Sequence, residues 1–409
     1  MVSLKSIQAK IAWRASAPEI LMVTNSFVWS IVTFTILGAI INSLSVPEIE
    51  KTILFFMCFL AVGVSAIFGA KFFPKARTCS LQAWFFVGAI ATLLLTFITS
   101  NSMILNAVLV LFYGTSVGIG LPSCLSFFAE STNVEKRGFI SGIIWSGVGF
   151  SVLFLAFLTT ILTLWMTIFT LVIWRFCGGI GFIMLNRKKE EIAAKESPSY
   201  LEIFRKKEVL LYLLPWALFC FLNYAEGPVV ESFFGQNYVF MQIMVWGIVG
   251  LVATIGGFIA DVTGRKAVVI SGFLMLGIEY ATVSVLPNSE ATMYFFSVLD
   301  GISWGLLSSI FLTTIWGDLG ENYEKEKYYV VGGLTFFLPG FLSEIITHYV
   351  GSIPTTLAFS LASFFLFLAV LPLFYATETL PEVKIRERQL QGYLKKAEKV
   401  KEKSLLQNQ

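Results

Sequence analysis

The stretch Gly257-Phe258-Ile259-Ala260-Asp261-Val262-Thr263-Gly264-Arg265-Lys266 closes one apolar run, 238–260, and opens another, 267–286. Each run is about 20 residues long, which is enough to cross the hydrocarbon core of a bilayer as a helix. A carboxylate, a glycine and two adjacent cations separate them. Gly264 permits a tight turn, Asp261 can accept hydrogen bonds from a neighbouring helix N-terminus, and Arg265 and Lys266 anchor the turn at the aqueous face. The ten residues read as a short polar connection between two membrane helices.

The rest of the chain follows the same pattern. Of 409 residues 56% are hydrophobic and only 13% charged, with a mean hydropathy of +0.78. A soluble domain carries about 25% charged residues, so a water-soluble globular fold is excluded. Apolar runs fall at 20–43, 52–70, 81–100, 103–127, 138–160 and 164–185, and again at 209–235, 238–260, 267–286, 291–315, 328–350 and 353–376. The fold class expected is an all-α polytopic membrane protein, with 12 transmembrane helices arranged as two pseudo-symmetric six-helix bundles. The divisions are an N-terminal arm 1–19, a first bundle 20–185, a linker 186–208, a second bundle 209–376 and a tail 377–409. The linker mixes seven basic with five acidic residues and contains Pro198. The first run, at about 24 residues, exceeds the 7–15 of a secretory signal core.

Orientation follows from Lys and Arg. Of 29 basic residues, all but Lys51 and Arg175 fall in the arm, the tail or every second loop. Both termini are therefore expected to be cytoplasmic, in a multi-pass protein of the cell membrane. The five cysteines form no C-x-x-C pair and lie in or beside apolar runs, where they read as small hydrophobes. The tail can form a helix on the membrane surface or a solvated charged segment.

Landmarks recur at a constant offset. Gly69 matches Gly257, Gly114 and Gly118 match Gly301 and Gly305, and Asn133-Val134-Glu135-Lys136 matches Asn322-Tyr323-Glu324-Lys325, at offsets of 187 to 189 residues. The paired G-x-x-x-G spacings would let helices approach closely. Duplicated halves around a shared site are the architecture of many secondary transporters.

With these residues in view, the 257–266 stretch resembles the G-x-x-x-D-x-x-G-R-K loop signature of the major facilitator superfamily. That resemblance implies a cytoplasmic gate built from Gly257, Asp261, Gly264, Arg265 and Lys266, and a central cavity lined by spans one, four, seven and ten. In the first half the matching loop, Gly69 to Arg77, has Phe73 in place of the acidic residue, which puts the strength of that half's latch in question. Arg137-Gly138 and Thr377-Glu378-Thr379-Leu380-Pro381 are weaker echoes of the family. The fourth span lacks the arginine that many members carry four residues before a glycine. The fifth has Gly138, Gly142, Gly147 and Gly149 without the G-P-x-x-G of drug antiporters, which argues against drug:proton exchange.

Ionisable groups inside a bilayer cost about 2.5–3.5 kcal/mol each on insertion scales and mark functional sites. Five stand out: Arg175, Glu226, Glu279, Asp300 and Glu344. Asp300 lies near the middle of its span, with Tyr113 as its counterpart in the repeat. Burial favours the neutral form of a carboxyl group, so Asp300, Glu226 and Glu344 are the expected proton-coupling residues. Asn25, Tyr113, Asn223, Tyr224 and Asp300 are the expected substrate contacts. Gly227-Pro228 beside Glu226 breaks helical hydrogen bonding. Glu344 and His348, one turn apart, form either a pH-sensitive pair or a self-satisfied one. Arg175 and Glu279 read as structural residues in separate halves.

These readings point to a secondary active transporter that moves a small solute by alternating access, with a proton as coupling ion. The alternative is a transport-inactive, transporter-like membrane sensor or assembly partner. With one histidine, no H-E-x-x-H and no C-x-x-C, an enzyme is not expected, nor a cofactor, a metal or a nucleic-acid partner. The expected partners are a small-molecule substrate, cationic or neutral, the proton and the lipid bilayer, with the protein acting as a monomer.

Overall fold

The computed structural model describes residues 16–186, 196–381 except 288, 348, 351 and 352, and residue 390. The elements are helical throughout: α1 Ala17–Ser43, α2 Glu48–Phe72, α3 Arg77–Leu94, α4 Met103–Ser131, α5 Val134–Ile161, α6 Leu164–Leu185 and a short α7 Tyr200–Arg205. Then come α8 Lys207–Phe234, α9 Tyr238–Thr263, α10 Arg265–Val285, α11 Glu290–Leu307, α12 Trp316–Leu319, α13 Glu326–Phe337, α14 Phe341–Thr347 and α15 Thr355–Tyr375. Most of the N-terminal arm, part of the linker, His348 and nearly all of the tail lie outside the described residues.

Among the described residues, ten helical stretches are long and apolar enough to cross a membrane, which makes this a multi-pass membrane protein. Two of them, Glu48–Phe97 and Lys207–Thr263, run to 50 and 57 residues. At 1.5 Å per residue they would be roughly 75 and 85 Å long, more than twice a bilayer core of about 30 Å. Each is divided by a tight 3₁₀ turn. Phe73–Ala76, with Pro74 at its start, separates α2 from α3. Gly235–Asn237 separates α8 from α9, and there Gly235 takes a φ of 52°. The connection between α5 and α6, only two residues long, is set by Thr163, whose hydroxyl accepts from Met166 N at 3.4 Å.

Two runs are less regular than their hydropathy implies. The tenth continues past α11 as a π-helical segment, Ser308–Ile315, and ends in α12. The eleventh is interrupted at Leu338–Gly340, because Pro339 cannot donate to the preceding turn, and divides into α13 and α14.

Small residues set the tightest crossings. On α4, an added methyl at Gly118 would sit 2.1 Å from the Val62 carbonyl oxygen of α2, and at Gly114 2.5 Å from that of Cys58. Between α5 and α9 an added methyl at Gly142 would lie 2.4 Å from the Ala253 carbonyl oxygen, and at Gly257 2.1 Å from that of Gly138. Backbone therefore meets backbone along this crossing, and the apolar side chains of α9 turn outward: Leu251, Ile255 and Phe258 are more than half exposed, as expected of a lipid-facing stripe. Overpacking a close contact costs about 1–3 kcal/mol. Gly118→Val and Gly142→Val should each lower the melting temperature of the detergent-solubilised protein by several degrees. Gly333→Ala, where an added methyl meets nothing within 4 Å, should leave it unchanged; equal effects at all three sites would refute the close-packing account.

Candidate functional site

At one end of the bundle, buried charges join the first six long helices to the rest. Arg137, at the start of α5, pairs with Asp318 of α12 and donates to Glu321 at 3.0 Å. Asp318 also accepts from Arg265 Nε at 3.3 Å, and Arg265 pairs with Asp261 one turn away. Asp261 in turn accepts from the backbone N–H groups of Gly138 and Phe139, at 3.1 and 2.8 Å. The circuit thus returns to α5. Arg137, Arg265, Asp261 and Asp318 are all buried.

The loop glycine and the tail motif have mechanical roles here. Gly264 has φ 109°, a backbone that side chains rarely adopt, and it turns the chain from α9 into α10. The first N–H groups of α10 are capped from outside the helix. Glu378 accepts from Arg265 N at 2.8 Å and Lys266 N at 3.1 Å, and Lys266 Nζ donates to the Ala376 carbonyl at 3.1 Å.

On the first half's side, Phe73 leaves no carboxylate in the loop, but Arg77 pairs with Glu130 of α4 and reaches Glu326 of α13 at 2.5 Å. That side is latched by residues the loop signature does not include. Glu321, in the loop after α12, is pushed up by partial burial, but the Lys325 hydrogen bond and the charges of Arg137 and Lys325 outweigh this and hold its carboxyl below the usual range. Its contribution is complete above the ordinary carboxylate pKa and is lost as pH falls through the depressed one.

Away from this end lies a cavity of about 370 Å³. Ser30, Phe34, Phe59 and Trp145 line it from the first half; Asn223, Tyr224, Tyr238, Asp300, Trp304 and Phe336 line it from the second. Tyr238 is the first residue of α9 and Asp261 lies near its other end, so roughly 35 Å of helix separates the cavity's far rim from the ionic circuit. Ser308 and Leu312 bring the π-helical segment to the cavity wall, where Ser141 of α5 donates to the Ser309 carbonyl at 2.6 Å.

The proposed contact residues divide. Asn223, Tyr224 and Asp300 are on the wall. Asn25 and Tyr113 are not: Asn25 donates to the Trp174 carbonyl at 2.8 Å, and Tyr113, fully buried, lies against Trp29 with its hydroxyl 3.4 Å from the Ser30 carbonyl. Tyr113, the repeat counterpart of Asp300, is therefore not on the cavity wall. Glu226 is buried within α8, just behind the cavity-lining Gly227. The helix runs on through Pro228. Glu279, expected to be peripheral, is fully buried, with neither carboxylate oxygen hydrogen-bonded, and lies within electrostatic range of both Asp300 and Glu226. Glu344 falls in α14 and its side chain lies outside the described residues.

Arg175 is the residue whose surroundings the sequence conceals. Its guanidinium carbon lies 4.2–4.3 Å from the ring centres of Trp29, Trp84 and Phe85, and Nη1 donates to Asn25 Oδ1 at 3.0 Å and Ser26 Oγ at 2.8 Å. No carboxylate pairs with it among the described residues. Room for the box comes from Gly88 and Gly178, where an added methyl would lie 3.0 Å from Arg175 Nε and 2.3 Å from Asn25. Aromatic faces compensate a desolvated cation by about 2 kcal/mol or more.

Two runs, Gly114-Thr115-Ser116-Val117-Gly118 and Gly301-Ile302-Ser303-Trp304-Gly305, have G-x-S-x-G spacing. A hydrolase elbow needs a strand-to-helix turn, whereas both serines are buried inside helices, and Ser116 donates to the Tyr113 carbonyl at 2.7 Å. The glycines serve helix packing.

Removing one partner of a buried ion pair costs about 3–5 kcal/mol. Arg137→Met and Asp318→Leu should each destabilise the protein by that order, and the double variant by clearly less than the sum, measured by unfolding in mixed detergent; strict additivity would mean the two side chains do not interact. At Arg175 no carboxylate is left behind by substitution. Arg175→Met should therefore melt higher than Arg175→Lys, which keeps the buried charge but cannot offer a planar face to three rings; the reverse order would discount the aromatic box.

No family model matches this chain, and no curated protein matches it. Among solved structures it is similar to the crystal structure of the human organic anion transporter MFSD10 (TETRAN), with a TM-score of 0.63, 13% sequence identity, and coverage of 88% of this chain and 99% of that one. At this identity the likeness is one of fold alone: the chain shares the overall fold of that transporter structure.

Proposed function

We propose that the protein is a secondary active transporter that moves a small solute by alternating access, its two six-helix halves, 20–185 and 209–376, rocking about the cavity. The observation that carries this reading is a cavity walled by both halves while one end of the bundle is held shut by charges that also join both halves. The pseudo-equivalence of the halves draws support from the ion pairs Arg77–Glu130 and Arg265–Asp318, in which Arg77 and Arg265, and likewise Glu130 and Asp318, lie 188 residues apart. That offset falls within the range of the sequence landmarks.

The distribution of Lys and Arg makes the latched end cytoplasmic, with Gly257, Asp261, Gly264, Arg265 and Lys266 in the gate alongside Arg77, Arg137 and Asp318. Asp300 is the coupling carboxylate and Glu226 and Glu344 are its helpers. Asn223 and Tyr224 are the substrate contacts beside it. The protein works as a monomer in the cell membrane. The likeness in fold to an organic anion transporter supports transport as the activity.

A solute selected by thermal shift from pooled metabolites should accumulate in proteoliposomes against its own gradient when a proton gradient is imposed. Asp300→Asn should keep solute exchange and lose accumulation. Accumulation by that variant would overturn proton coupling at Asp300, and binding without flux in the unaltered protein would overturn transport in favour of a sensor.

A further inference from the structure

The chemistry of the cavity wall narrows the solute beyond the reading above, on which this inference rests. Among the described residues that line the cavity there is no Lys, Arg or His, and Asp300 is the one carboxylate. Two further carboxyl groups lie behind the wall. Glu226 and Glu279 are buried, three of their four oxygens lack a hydrogen-bond partner, and both act on Tyr280, itself a wall residue. The first half's buried cation, Arg175, is enclosed by rings and is not on the wall.

Around Asp300 the wall is aromatic. Trp304 lies one turn along α11 on the same wall. Phe336 lies across from it at 6.4 Å and 79°, an edge-to-face pair, and Tyr224 meets Phe336 at 5.8 Å. Phe296, one turn the other way, is edge-to-face with Tyr280 at 5.6 Å. A carboxylate set among ring faces attracts a cation that is itself weakly hydrated: the rings favour positive charge through their quadrupoles, and the same rings reward an apolar body. A small inorganic cation gains little there, because the wall supplies few oxygens to replace its water.

We infer that the cavity binds an organic ammonium ion with an aromatic or aliphatic body, its charge at Asp300 and its body against the aromatic wall.

Three probes of similar size separate the possibilities by isothermal titration of the full-length protein in detergent near neutral pH: benzyltrimethylammonium, uncharged N,N-dimethylbenzamide and benzoate. The expected result is that the ammonium ion binds at least about tenfold more tightly than the amide and that benzoate does not bind. Asp300→Asn should bring the ammonium affinity down to that of the amide while the amide affinity stays unchanged, which also shows that the variant is folded. Asp300→Glu should retain the preference. Equal affinity for ammonium and amide in the unaltered protein, or tighter binding of benzoate, overturns the inference. Titration requires no flux, so selective ammonium binding with no transport of any solute would fault the transporter reading alone, and proton-driven transport of a different solute without ammonium preference would fault this inference alone.

Discussion

The constraint on which the arrangement depends is the buried circuit Arg137–Asp318–Arg265–Asp261 and its return to α5 through Gly138 and Phe139. Taking four charges out of water costs several kcal/mol per ion, and their mutual attraction offsets this only when nearly every donor and acceptor is matched. The match is close here: Arg137 also reaches the Ala129 and Thr132 carbonyls, and Arg265 the Val134 carbonyl. Such a circuit is stable when complete and costly when half made. It sits at helix ends, with Arg137 in the first turn of α5 and Arg265 opening α10.

The crossing beneath it is close. Where α5 meets α9, Gly142 and Gly257 place backbone on backbone, and Phe139 packs edge-to-face with Phe258. Ser146 and Thr254 provide a polar contact at 2.7 Å, a short reach that tolerates a small rotation. The glycines bring the two helices together, and the charges tie them at one end.

Much of this was readable from residue order. Apolar length located the helices, because a bilayer rewards about 20 uninterrupted apolar residues and nothing shorter, and Gly264 with Arg265 and Lys266 marked the turn that ties α9 to α10. What could not be read was partnership across the sequence. Arg77 and Arg137 looked like ordinary loop cations because their carboxylates, Glu326 and Asp318, lie about 180 to 250 residues away. The offset that aligned the glycines also aligns Glu130 with Asp318 and Arg77 with Arg265, so a repeat comparison extended to charged residues would have found the pairs. Asn25 and Tyr113 were misplaced because a helix's position in the bundle does not fix which of its faces meets the cavity. The π-helical segment left no signal in hydropathy, since Ser308–Ile315 is no less apolar than a regular turn.

The two halves also differ in what they do with a buried charge. At the offset of the sequence landmarks, Arg175 corresponds to Ser363 and Asp300 to Tyr113. In the first half the charge is cationic and removed from use: three rings and two polar side chains surround it, and its counterpart Ser363 does no more than donate to the Gly277 carbonyl. In the second half the charge is anionic and left on the cavity wall, while its counterpart Tyr113 is packed into the core against Trp29. With Arg175 enclosed by its rings and Asp300 on the cavity wall, the two charges do not neutralise one another in this arrangement.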